Sequence, residues 1–234
     1  MLRLLLLAAA VTGLAGCAAA PAPVADAPAA DRWLAAIEDA AVPTEAERAF
    51  DLVALTPATP GLVWRDGAVK MVAWMSQASY DRFYAGRSET TLPATKPILW
   101  VTAAPQVQAF CRGLAAADPT PRLKQYLGLA ADWSYDVFVE FWVPPAGLLR
   151  PCPDQEVTDA TCEVAAGPAA AEEPWYADLY RASYLPTGAP WTRLGYTYDW
   201  SPDSPDNHGA SEFMVRPGTT VAIAGAVPTA AYCR

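Results

Sequence analysis

Histidine, the most versatile general base, occurs once, at position 208, so any Ser-His-Asp or Cys-His arrangement must be built around His208. No GxSxG elbow is present to carry an exposed nucleophilic serine. The only lysines are Lys70, Lys96 and Lys124, and none has a serine three places before it, so there is no SxxK pair. GxGxxG and the GxxxxGK loop are missing as well, which removes the backbone cradles for dinucleotides and nucleoside triphosphates. One histidine and no CxxC cannot assemble the usual Cys/His zinc set.

What remains is a group of polar residues set inside apolar runs. Glu140 stands in DVFVEFWV, Arg193, Tyr196, Tyr198 and Asp199 stand in RLGYTYDW, and His208 and Glu212 stand in DNHGASEFMV. Strand alternation puts Phe138, Glu140 and Trp142 on one face and Val137, Val139, Phe141 and Val143 on the other. Glu140 is thus a lone charge on a strand apolar on both sides. It is paired, with Arg193, Arg216 or a tyrosine hydroxyl as partner, or reaches water at a strand end, or is a functional carboxyl with a displaced pKa. The same alternation aligns Leu194, Tyr196, Tyr198 and Trp200 as a core wall or a ligand platform. Asp199, Asp203, Asp206 and Asn207 offer oxygen ligands without the alternating spacing of an EF-hand loop. The sequence therefore predicts no metal and no cofactor. SPDSPDNHG reads as a solvated, turn-rich connection with His208 on its surface.

Elements of both kinds are needed to hold these residues. DRWLAAIEDA, with Asp31 as N-cap and Trp33, Leu34 and Ile37 aligned, predicts a helix. Two apolar runs around Arg65-Asp66-Gly67 predict a hairpin. KPILWVTA, DVFVEFWV, RLGYTYDW and SEFMV predict strands, and PQVQAFCRGLAA and EEPWYADLYRASY predict helices, the first with proline in its opening turn. The expected fold is α+β: a single domain over residues 31–234, with a central mixed or antiparallel sheet and flanking helices. With 234 residues, 53% of them hydrophobic, the chain can bury a sizeable core. A formal net charge of -9 argues against nucleic acid as a partner, because that affinity comes from Lys and Arg neutralising phosphates.

The amino terminus carries an address. MLRLLLLAAAVTGLAGC has a basic residue, a short apolar stretch and small residues ahead of Cys17, the layout of a secretory signal. Leu14-Ala15-Gly16-Cys17 resembles the lipobox of bacterial lipoproteins. The resemblance implies a signal peptide over 1–16, diacylglycerol on the thiol of Cys17, and attachment of the mature chain to the membrane through its lipid. The Pro/Ala-rich stretch over 17–30 is the tether. Ala18 in place of the aspartate that retains such proteins at the inner membrane implies the outer membrane, facing the periplasm. Four cysteines remain after Cys17, with three connectivities open; Cys152 with Cys162 and Cys111 with Cys233 is the expected one.

SEFMVRPGTTVAI, residues 211–223, resembles the last catalytic strand of ADP-ribosyltransferases, in which a glutamate opens an apolar strand that leaves through Pro-Gly. The resemblance implies that Glu212 orients a nicotinamide ribose. Ala210 stands where many such enzymes have a second Glu or Gln. Two classes of function follow. One is a non-catalytic envelope domain binding a glycan, peptide or envelope protein, with Trp175, Tyr176, Tyr180, Trp191, Tyr196 and Trp200 as an aromatic surface. The other is an enzyme using Glu140 or Glu212 with Arg193 and Tyr198. Convergence of the carboxylates with Arg193 in one cleft distinguishes the second from the first.

Overall fold

The structure is a computed structural model describing residues 27–95, 99–164 and 174–234. The expected signal peptide, Cys17 and most of the tether lie outside these residues. The domain is α+β: among the described residues, nine strands form one sheet in which every pairing is antiparallel, with helices flanking it.

The hairpin forms as its turn chemistry requires. β1 (Trp64–Arg65) and β2 (Ala68–Met75) are joined through Asp66 and Gly67, both at positive φ (50° and 79°), as a two-residue hairpin turn demands. From Val69 to Met75 β2 pairs with β5 (Val137–Val143), and β5 pairs on its other side with β9 (Thr220–Pro228), which carries β3 (Glu89–Thr91) at the edge. On its other flank β2 meets β4 (Trp100–Ala103), which pairs with β8 (His208–Val215). Two short strands, β6 (Leu148–Leu149) and β7 (Tyr196–Tyr198), share the far side of β8.

Alternation sends odd-numbered residues of β2, β5 and β8 to one core and even-numbered ones to another. The first core holds Val69, Met71, Val139, Phe141, Phe213 and Val215, all buried. The second packs Val72, Trp74 and Phe138 against α3 (Ala104–Arg112), α4 (Thr120–Tyr126) and α6 (Thr229–Tyr232). Cys111 is bonded to Cys233, which ties α3 to the chain end, and Cys152 is bonded to Cys162. Both pairings are those expected from the sequence, and bonds of this kind persist in oxidising compartments. No described helix is long and apolar enough to cross a membrane.

Several elements depart from their sequence expectation. α1 (Ala29–Ala40) begins before Asp31, which lies in the first turn rather than capping it; there its charge still favours the positive end of the helix dipole. α2 (Gln77–Phe83), with Ser76 Oγ accepting from the Ser79 N–H, and α4 are too short to show a helical period. β9 is rich in alanine and half-exposed, so it lacks a strand's usual signature. α5 (Pro174–Ser183) has the predicted type; the glutamates ahead of it lie outside the described residues.

Candidate functional site: a cavity where the sheet splits

The sheet comes apart between β2 and β4. Their register covers only Met71↔Ala103 and Val72↔Thr102. Beyond that rung β2 continues with β5, from Ala73↔Val139 to Met75↔Val137, while β4 continues with β8 at Val101↔Phe213 and Trp100↔Met214. The rung that would join Trp74 to Trp100 is not made. A cavity of about 880 Å³ occupies the gap, lined from one bank by Val72–Ser76 and from the other by Leu99–Thr102. Leu127–Leu129, Trp133–Tyr135 and Thr187–Trp191 enclose it.

Glu212 lies in the last joined row, one strand beyond the split. It is opposite Thr102, and Thr102 is opposite Val72, so these three residues form one row across β8, β4 and β2. Period-two alternation places Trp74 and Trp100 in the next row on the same face, one on each bank. Trp74 is fixed by stacking on Phe138 at 5.2 Å and by donating from Nε1 to Thr229 Oγ1 at 2.8 Å. Trp100 stands edge-on to Trp191 at 6.2 Å.

The electrostatics of Glu212 are those of an isolated acid. Its side chain is partly accessible, yet it lines the cavity. Accessibility and depth thus differ, and depth governs ionisation, because a confined pocket solvates a carboxylate far less than bulk water. Burial alone pushes its pKa up to about 8, with no hydrogen bond or charge among the causes. Among the described residues, the other titratable ones lining the cavity are Tyr84, Arg87, Tyr135 and Tyr198. Burial raises Tyr84, takes Tyr135 to about 12, and raises Tyr198 with help from its hydrogen bond to Asp39, so these phenols stay neutral. Arg87 is exposed.

The structure disperses most of the residues singled out from sequence. Glu140 is paired with Lys70 Nζ at 3.1 Å, a partner one strand away that sequence reading did not consider. Asp199, 2% exposed, accepts from Arg122 Nη1 and Nη2 at 2.9 and 2.6 Å. Arg193 is buried, with Nε donating to the Tyr184 hydroxyl and Nη2 to the Ala41 carbonyl, both at 2.8 Å. The Tyr196 hydroxyl donates to the Glu47 carbonyl at 2.9 Å. Tyr198 does line the cavity, although its hydroxyl is taken by Asp39 Oδ2 at 2.7 Å. Of the seven candidates, only Glu212 and Tyr198 reach the cavity.

His208 is not a loop residue. It opens β8, its ring lies 4.2 Å from that of Tyr196, and Nε2 is 3.1 Å from the Glu47 carbonyl. The strand reaches back this far because Gly209 lets it pass: a Cβ there would sit 2.2 Å from Thr197 Oγ1 and from the Tyr126 carbonyl. Of the six aromatics expected to form a surface, Tyr176, Trp191, Tyr196 and Trp200 are buried, Trp191 lining the cavity, while Trp175 and Tyr180 are half-buried. The aromatics that line the cavity, Trp74, Trp100 and Trp133 among them, carry no local signal; only the register of distant strands brings them together.

The chain matches no protein-family model, no curated protein and no solved structure. Its function must be argued from the site itself.

Proposed function

We propose that this chain is a lipid-anchored cell-envelope protein, held at the outer membrane through Cys17, whose domain binds a ligand without transforming it. The observation that carries the binding reading is the cavity at the split. Its volume, about 880 Å³, falls within the range of small-molecule pockets, which pair apolar and aromatic walls with few polar groups. A small molecule, or the end of a glycan or peptide, fits it better than a flat protein surface does. The two disulfides agree with an exported location.

The enzymatic alternative has one observation in its favour: a carboxyl neutral at pH 7 can act as a general acid. It lacks companions. Glu140, Arg193, Asp199 and His208 are engaged elsewhere, and among the described lining residues Arg87 is the one cation, which is a thin basis for gripping the pyrophosphate of a dinucleotide.

Native mass spectrometry of the full chain extracted from its own envelope tests the reading. A bound species of small-molecule mass, lost in Trp100→Ala, is the expected result. A ligand-free chain whose tryptophan fluorescence is unmoved by glycan, peptide and small-molecule panels contradicts it.

A further inference from the structure

We infer that the ligand of this cavity is an organic cation, an ammonium or guanidinium group on an apolar body, seated between Trp74 and Trp100 with its charge against Glu212. The inference rests on the binding reading above and adds the chemical class. Its first support is the row arrangement. Two indoles border the gap, one on each bank, Trp74 already stacked on Phe138 and packed against Tyr135; Val72 and Thr102 close the gap, and Glu212 lines the same cavity from that row, one strand beyond Thr102. Aromatic rings attract cations through their negative faces, and most strongly in desolvated sites.

The second support is electrostatic. Among the described lining residues Glu212 is the one acid, and no charge or hydrogen bond is among the causes of its shift. An anionic ligand would be driven against this carboxyl once it ionises, with exposed Arg87 as its one basic contact among the described lining residues. A neutral ligand would leave the acid protonated. A cation supplies the missing partner, and in a low-dielectric site a charge paired in this way interacts far more strongly than at the surface.

Binding is then coupled to a proton. Among the described residues, the lining groups besides Glu212 that can carry charge are Tyr84 and Arg87 from the segment after β2, Tyr135 from the loop before β5, and Tyr198 from β7. The phenols are shifted upward, so between pH 6 and 8 Glu212 is the group that changes state. The cation displaces its proton into solvent. With a pKa of about 8 in the free protein, affinity for a permanent cation rises by about fiftyfold from pH 6 to pH 8.

The test uses the full chain and two probes read by tryptophan fluorescence: benzyltrimethylammonium, a permanent cation, and benzyl alcohol, its neutral counterpart in size. The expected result is binding of the cation that tightens with pH as stated and outcompetes the alcohol at pH 8. Glu212→Gln should remove the pH dependence and weaken the cation at least tenfold at pH 8. Circular dichroism of the variant confirms that it is folded. Equal binding of both probes, unchanged by Glu212→Gln, overturns the cation class and leaves the binding reading standing. Failure of the cation to bind up to pH 9 while the alcohol binds overturns the cation class alone, and failure of both probes to bind up to pH 9 overturns both readings.

Discussion

The segment Trp191–Trp200 and the split between β2 and β4 both place polar groups inside the protein, and they treat them in opposite ways. Every residue of WTRLGYTYDW is buried. Its polar side chains nevertheless find partners. Trp191 Nε1 donates to Pro151, Thr192 Oγ1 to Tyr196, Thr197 Oγ1 to Tyr126 and Trp200 Nε1 to Leu129, and Asp199 is clasped by Arg122. Gly195, at φ +82°, lets the backbone pass where a Cβ would lie 2.8 Å from both Arg150 Cδ and Leu52 Cδ1. At the split, a ladder rung is missing and a carboxyl stands without a donor. A buried polar group that is satisfied specifies structure, whereas one left unsatisfied stores a cost that a ligand can relieve. The density of chemical residues along the chain therefore points to the wrong place: the segment richest in them is buried throughout, with its polar side chains partnered.

Breaking that contrast should start with the tryptophans. Trp200, edge-on to Trp33 at 5.9 Å and 6% exposed, should cost about 3–5 kcal/mol when changed to alanine, read by denaturant unfolding. Trp100→Ala, on the bank of a cavity that already exists, should cost less than half as much and show its effect in ligand binding. Equal losses would mean that the split is ordinary core. Next in size is Asp199→Ala, expected to destabilise by about 2–4 kcal/mol, because it leaves Arg122 and the Ser201 N–H without their acceptor. The smallest effect is assigned to Glu140→Gln. Its pair with Lys70 has side chains 21% and 24% exposed, so the loss should stay within about 1 kcal/mol, weakening further at high salt. A loss above about 2 kcal/mol there would show that Glu140, too, belongs among the structurally demanding polar groups.

Much of the fold was legible in the sequence because its signals are local. The Asp66-Gly67 turn, the alternation in DVFVEFWV, Pro105 at the start of α3 and an even set of cysteines each act over a few residues. The site was only half legible. Glu212 is visible as a charge in an apolar strand, but its isolation depends on what β2 and β4 fail to do, and that is set by residues over a hundred positions away. Glu140 looked the same from the sequence and proved different, since Lys70 arrives from β2. His208 looked solvated because it follows SPDSPDN, although β8 begins at that residue.

The central claim is that confinement in the cavity holds Glu212 neutral at pH 7, and the pH dependence of stability measures that directly. Its folded-state pKa of about 8 lies above the ordinary value of 4.5 that applies once the chain unfolds. The protonated acid's contribution is therefore complete below pH 4.5, declines as pH rises because the unfolded state ionises first, and is lost as pH passes about 8. Glu212→Gln keeps the shape and removes the ionisation. Unfolding free energies of the two proteins should coincide within about 1 kcal/mol at pH 4.5 and diverge by several kcal/mol, with the variant the more stable, by pH 8. Parallel profiles across that range, or a variant weaker at every pH, would show that the carboxyl has a partner and that the split is not a site.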